Sequence, residues 1–130
     1  MRQEIHIPSL GPAISHYTEA VRFGDLLYVS GLVSCDSEGK IVAPNDPVGQ
    51  TRQIFKIMKV ILDEVGAGFG DVLKLNLFLT DIDDRPLINP IRQEVFGDAR
   101  PASTLVQVAA LVYPELRLEI ESVVGIPSKA

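Results

Sequence analysis

An α+β domain, with two helices laid on one face of a mixed sheet, is what this chain of 130 residues predicts. Three observations lead there. Two segments repeat apolar residues every three or four positions, as amphipathic helices do. The segments around them alternate apolar and polar residues, as strands do. The order along the chain is strands, helix, strand, helix, strands, and two helices on one sheet face would bury both stripes together with that face.

Taken in order, residues 4–7 form a short edge strand stopped by Pro8. Residues 20–23 and 26–30 pair as a hairpin about Gly24-Asp25, because a turn led by glycine matches the twist of paired strands. Gly31 follows. Residues 32–34, the turn Asp36-Ser37-Glu38-Gly39 and residues 40–42 read as a second hairpin. Asp46-Pro47 opens the first helix, with Asp as N-cap and Pro at the first helical position. Its stripe is Ile54, Met58, Ile61, Leu62 and Val65; Arg52, Lys56, Lys59 and Asp63 are its wet face, and Gly66 closes it. Residues 72–80 alternate strictly, placing Leu73, Leu75, Leu77 and Leu79 on one side and Lys74, Asn76 and Thr80 on the other. Asp84 and Pro86 start the second helix, with a stripe of Leu87, Ile88, Ile91, Val95 and Phe96. Strands at 104–111 and 116–124 close the chain, with Pro114 in the turn between them.

Composition narrows the function. With 46% hydrophobic and 22% charged residues the chain is a folded domain, and 130 residues suit one domain spanning 1–130. A net charge of −5, with twelve Lys and Arg scattered along the chain, argues against a nucleic-acid partner. The apolar runs fall far short of the roughly 20 residues that span a bilayer, and the start, with Arg2 and Glu4, is not a secretory signal. A single Cys35 excludes an internal disulfide and agrees with a reducing cytoplasm. With only His6 and His16 beside that cysteine, no zinc site of the usual ligands is expected.

Glycines at 66, 68 and 70 resemble a phosphate loop, but such a loop follows a strand and opens a helix. These follow a helix, so they are a cap and turn. Tyr17, beside His16, carries a hydrogen-bond donor on an apolar body, which suits a pocket rim; an ordinary half-buried tyrosine is the simpler reading of it alone. Ser30-Gly31 ends a strand with a small hydroxyl and a residue that permits close approach. Glu119 and Glu121 share a strand face with Arg117. They are either a salt-bridged solvent face or a source of a general base. The last strand, Leu116, Leu118, Ile120 and Val124 against Arg117, Glu119, Glu121 and Val123, leaves a mixed face that a second copy of the chain would cover. Cys35 lacks a histidine at a diagnostic spacing and reads as structural.

Taken together, blocks of this sequence resemble the Rid (RidA/YjgF, reactive intermediate deaminase) family. They are Tyr17 with Gly24-Asp25-Leu26-Leu27-Tyr28-Val29-Ser30-Gly31; Gln50-Thr51-Arg52-Gln53; Asp71-Val72-Leu73-Lys74 through Thr80-Asp81, then Asn89; and Arg100-Pro101-Ala102-Ser103-Thr104-Leu105-Val106-Gln107-Val108, closing with Leu118-Glu119-Ile120-Glu121. The resemblance implies a chorismate-mutase-like fold, a homotrimer and clefts between subunits. It implies hydrolysis of imines and enamines such as 2-aminoacrylate to a carbonyl compound and ammonia, with no metal or organic cofactor. It makes Glu119 the group that holds the attacking water, and Tyr17, Ser30, Gly31, Asn89, Ser103 and Thr104 the lining of the cleft. One position departs from the pattern: where the family carries a carboxylate-gripping arginine after Pro-Ala, this chain has Ser103. A neutral hydroxyl in place of a bidentate cation implies that Ser103 and Thr104 read a substrate less anionic than an amino-acid imine, or one that presents its charge elsewhere, unless Arg100 compensates from the rim. The alternatives are a non-catalytic trimeric binding module and, against the acidic balance, a ribonuclease.

Overall fold

The computed structural model describes residues 1–128. Strands β1 (Arg2–Ile5), β2 (Ala20–Phe23) and β3 (Leu26–Leu32) precede helix α1 (Pro47–Glu64). Strand β4 (Val72–Leu79), helix α2 (Arg85–Phe96), and strands β5 (Ala102–Gln107) and β6 (Leu118–Gly125) follow. All six strands join one sheet in the order β1-β2-β3-β6-β4-β5. Only β4 and β5 run parallel, because α2 carries the chain back between them; every other pair is antiparallel. This is the α+β architecture with two helices that the sequence predicts.

The core lies between the sheet and the helices. Ile54, Met58, Ile61 and Leu62 of α1 and Ile88 and Ile91 of α2 bury against Leu27, Leu75, Leu77, Leu79 and Ile120 of the sheet. Phe55, Phe69 and Phe96 meet edge to face at one end, an arrangement aromatic rings favour. Asp46 caps α1 as expected, its carboxylate accepting from the Val48 and Gly49 amides at 3.1 Å. Gly66 leaves the helix at φ +71, a conformation for which glycine has no Cβ penalty. The Gly68 amide donates to Asp71 at 2.8 Å, so these glycines form a turn.

Fully buried Gln50 explains why that residue type opens α1. Its amide donates to the Ala43 and Glu115 carbonyls, and its oxygen accepts from the Arg117 amide at 2.7 Å. One side chain thus ties the loop before α1 to the segment that leads into β6.

Several expectations are corrected. Residues 32–34 and 40–42 form no hairpin beyond a single bridge, Cys35 with Ile41. The Asp36 carboxylate accepts from the Glu38 and Lys40 amides there and holds a loop instead. Leu73 does not join the inward leucines: a bulge between Val72 and Lys74 turns it out, 50% exposed. Leu87 is likewise exposed and lies off the α2 stripe. Strand β5 stops at Gln107, short of residue 111, because β4 ends at Leu79 and offers no further partner. Strand β6 starts at Leu118, since the Arg117 amide is taken by Gln50. Strand β1 lies at Arg2–Ile5, ahead of the expected 4–7.

Candidate functional site

Strand β3 carries a bulge: its register with β6 jumps between Val29 and Leu32, which leaves Ser30 and Gly31 out of the ladder. The bulge brings Gly31 against Glu119 of β6. A Cβ at position 31 would lie 2.8 Å from Glu119 Cδ, so only glycine leaves room for that carboxylate. Tyr17, half exposed, Ser30, Gly31 and Glu119 together line an open cleft of about 320 Å³, with Ile14 and Val112 as its apolar neighbours. A second cleft of about 350 Å³ shares Tyr17, Ser30 and Gly31 and continues over Leu10, Ile57 and Val60. The structure therefore brings Tyr17, Ser30, Gly31 and Glu119 to one place.

Their support is local. Ser30 Oγ donates to the Thr18 carbonyl at 2.6 Å, and the Ser30 amide donates to the Glu19 carbonyl. The Ser30 hydroxyl proton is thus engaged, and the oxygen is left to accept. The Glu19 carboxylate in turn receives the Ile7 amide and lies 3.1 Å from His6 Nδ1. This fixes the segment that carries Tyr17 across the end of the sheet.

Among the described residues, Glu119 forms no ion pair. Arg117, which the sequence places on the same face, instead grips Asp84 in a bidentate pair, Nε to Oδ2 at 2.9 Å and Nη2 to Oδ1 at 3.0 Å. Asp84 accordingly gives no side-chain cap to α2. Glu121 accepts from Asn76 at 3.1 Å. Burial, and then the Glu121 charge, raise the Glu119 carboxyl above its ordinary value. Such a group exchanges a proton nearer neutral pH than a free glutamate does. Cys35 is different: burial and the Asp36 charge push its thiol up, which leaves it a poor nucleophile.

Asn89, Ser103 and Thr104 lie elsewhere. None lines the cleft of Glu119. Ser103 pairs with Leu75 on edge strand β5 and so shares the helix side of the sheet, where Arg92 Nη2 donates to its hydroxyl at 2.8 Å. Thr104, one residue on, points to the open side and accepts from Lys74 Nζ at 2.8 Å. Asn89 is on α2, one turn before Arg92. Arg100 is exposed and forms no ion pair among the described residues. The sequence reading misses Arg92. Its signal is a cation with no acidic residue three or four positions away on its own helix, hence no local partner.

Fold and cleft together define a class, an α+β domain that presents a half-buried glutamate to an open cleft. Residues 9–126 match the family model described as Endoribonuclease L-PSP. The chain is 36% identical over 124 residues to 3-aminoacrylate deaminase RutC of Acinetobacter baylyi, covering 95% of this chain and 98% of that one. It is 33% identical over 122 residues to the 2-iminobutanoate/2-iminopropanoate deaminase of Dermatophagoides farinae, covering 94% of each. Among solved structures, RidA from the Antarctic bacterium Psychrobacter sp. superposes with a TM-score of 0.87 at 32% identity, covering 95% of this chain and 99% of that one. TdcF of E. coli with bound serine superposes at 0.85 with 29% identity, covering 95% and 98%. The chain belongs to the Rid family, and its relatives from Acinetobacter and Dermatophagoides are named as deaminases of 3-aminoacrylate and of 2-iminobutanoate/2-iminopropanoate. Among the described residues, no helix is long and apolar enough to cross a membrane.

Proposed function

We propose that this chain forms a homotrimer whose inter-subunit clefts hydrolyse a small imine or enamine to a carbonyl compound and ammonia. The observation that carries it is the Glu119 carboxylate, held against Gly31 in an open cleft with its proton affinity raised. As a base it takes a proton from water while the oxygen adds to the imine carbon. It then returns that proton to nitrogen, and the carbinolamine collapses to the carbonyl with loss of ammonia. An enamine enters the same route after protonation at carbon. No cofactor is required for that balance.

Assembly supplies the second half of the cleft. Tyr28, Leu73 and Val106 are exposed, and β5 is an edge strand with most of its residues uncovered. Edges and faces of this kind are normally covered. In the trimer the β5 edge and α2 of one copy face the Glu119 cleft of the next, so that Asn89, Ser103 and Thr104 complete a wall that a single copy lacks. A cytoplasmic setting and the absence of a nucleic-acid partner belong to the same reading.

The test is ammonia release from a panel of freshly generated imines and enamines, with Glu119→Gln as control. Turnover above the buffer rate that disappears in Glu119→Gln supports the reading; no turnover of any panel member ends it. The second reading, a binding module without chemistry, rests on Ser103 in the position where the family carries arginine. It predicts ligand-dependent thermal stabilisation without ammonia release, since binding only the native state raises its melting temperature.

A further inference from the structure

Arg92 is a half-buried cation with no anion beside it among the described residues. Arg2, Arg52 and Arg117 each have a carboxylate partner, and Arg22 donates to the Gly24 carbonyl in its own turn. Arg92 has no carboxylate within ion-pair distance among the described residues, and its one side-chain hydrogen bond goes to the neutral Ser103 hydroxyl. Burial lowers its proton affinity, yet a guanidinium stays charged at any working pH. A guanidinium has five N–H donors, so a single hydroxyl leaves most of them unclaimed.

The surroundings favour a planar anion. Ser103 stands on an exposed edge strand. By accepting from Arg92, its oxygen leaves the hydroxyl proton free to point at a ligand. Asn89 lies three residues before Arg92 on the same helix, a spacing that puts both side chains on one face. On the other side of the same strand Lys74 reaches Thr104 at 2.8 Å and adds a second positive charge to this edge. Two guanidinium donors, a hydroxyl and an amide suit two coplanar oxygens, the pattern of a carboxylate.

We propose that Arg92, with the Ser103 hydroxyl beside it, is the carboxylate anchor of this chain, so that its substrates are imines and enamines of small amino acids. The proposal rests on the reading that the β5 edge closes a neighbour's cleft. It removes the reason to expect a less anionic substrate: the cation that position 103 lacks is supplied from α2.

The experiment titrates the intact protein with 2-oxobutanoate and with its uncharged amide, 2-oxobutanamide, by calorimetry, so that binding is read without turnover. The expected result is a preference for the acid of roughly thirtyfold or more. Arg92→Gln, which keeps a planar donor on Ser103, removes that preference, and Arg92→Lys keeps part of it as a point charge. The relocated pair Arg92→Gln with Ser103→Arg restores it. Circular dichroism and mass in solution establish that each variant is assembled. A wild-type protein that binds both probes alike, or an Arg92→Gln variant that keeps the preference, overturns the anchor. Ammonia release is scored separately. Selective acid binding through Arg92 without any turnover keeps the anchor and ends the hydrolase reading. An active enzyme indifferent to Arg92→Gln does the reverse.

Discussion

Gly31 stands against the carboxylate of Glu119 so closely that a methyl group at position 31 would sit 2.8 Å from Glu119 Cδ and nearer still to one oxygen. Strand β3 bulges at this point, and the contact joins it to β6 at the one place where their ladder is broken.

Gly31→Ala is therefore expected to push the carboxylate aside and leave the core unchanged, because the added methyl meets a half-exposed side chain. A displacement of about an ångström at a reacting group costs on the order of 100-fold in rate. Turnover of the best imine should fall by about that factor, with circular dichroism and assembly unaltered. A Gly31→Ala variant as active as the parent would mean that Glu119 is not where the chemistry occurs.

The raised proton affinity of Glu119 has a signed consequence. Burial first, and Glu121 second, disfavour its charged form in the folded protein. The folded carboxyl thus titrates above the ordinary glutamate value found in the unfolded chain. Its contribution to stability is complete below that ordinary value and is lost as pH rises through the folded one. Glu119→Gln should flatten this part of the stability profile and raise stability at neutral pH, read by urea unfolding from pH 4 to 8. Activity runs the other way, because a base must be ionised: the acid limb of the rate profile should fall at a pH above that of a free glutamate. A limb at the ordinary glutamate position would contradict the buried site.

The architecture was readable because apolar periodicity is dense here: Ile54, Met58, Ile61 and Leu62 on α1, and Leu75, Leu77 and Leu79 on β4, are all fully or nearly fully buried. The failures have physical causes. Leu73 continues the leucine alternation, yet a bulge reverses its side, and no local pattern announces a bulge. Asp84 carries the signature of a helix cap, but a partner 33 residues away takes its carboxylate. That pair also leaves Arg117 without an ion pair to Glu119. For the site, Tyr17, Ser30, Gly31 and Glu119, expected from their order along the chain, line one cleft, whereas Asn89, Ser103 and Thr104 lie outside it. Arg92 escaped notice because its significance lies in a contact across to β5.

Ser122 has a buried hydroxyl with no hydrogen-bond partner among the described residues. It sits in β6 between Val29 and Leu75, an apolar row. An unsatisfied hydroxyl costs more than the small volume that alanine gives up, so Ser122→Ala should stabilise the protein by about 1 kcal/mol. A thermal scan at fixed protein concentration should move up by about 3 °C. A downward shift would mean that the hydroxyl finds an acceptor in the assembled protein.

The Arg117–Asp84 pair calls for the opposite outcome. Asp84 is 5% exposed and receives both prongs of the guanidinium. Truncating Arg117 to methionine keeps most of the packing but strands a buried carboxylate, which costs about 3 kcal/mol. Removing both charges, as Arg117→Met with Asp84→Leu, should recover much of that loss, because two apolar groups have no desolvation to repay. The double-mutant cycle by urea unfolding measures the coupling directly. If the single and double variants differ by less than about 0.5 kcal/mol, the pair behaves as an exposed ion pair does. The segment that leads into β6 would then owe its order to the Gln50 side chain and to the Thr80 amide, which donates to the Arg117 carbonyl.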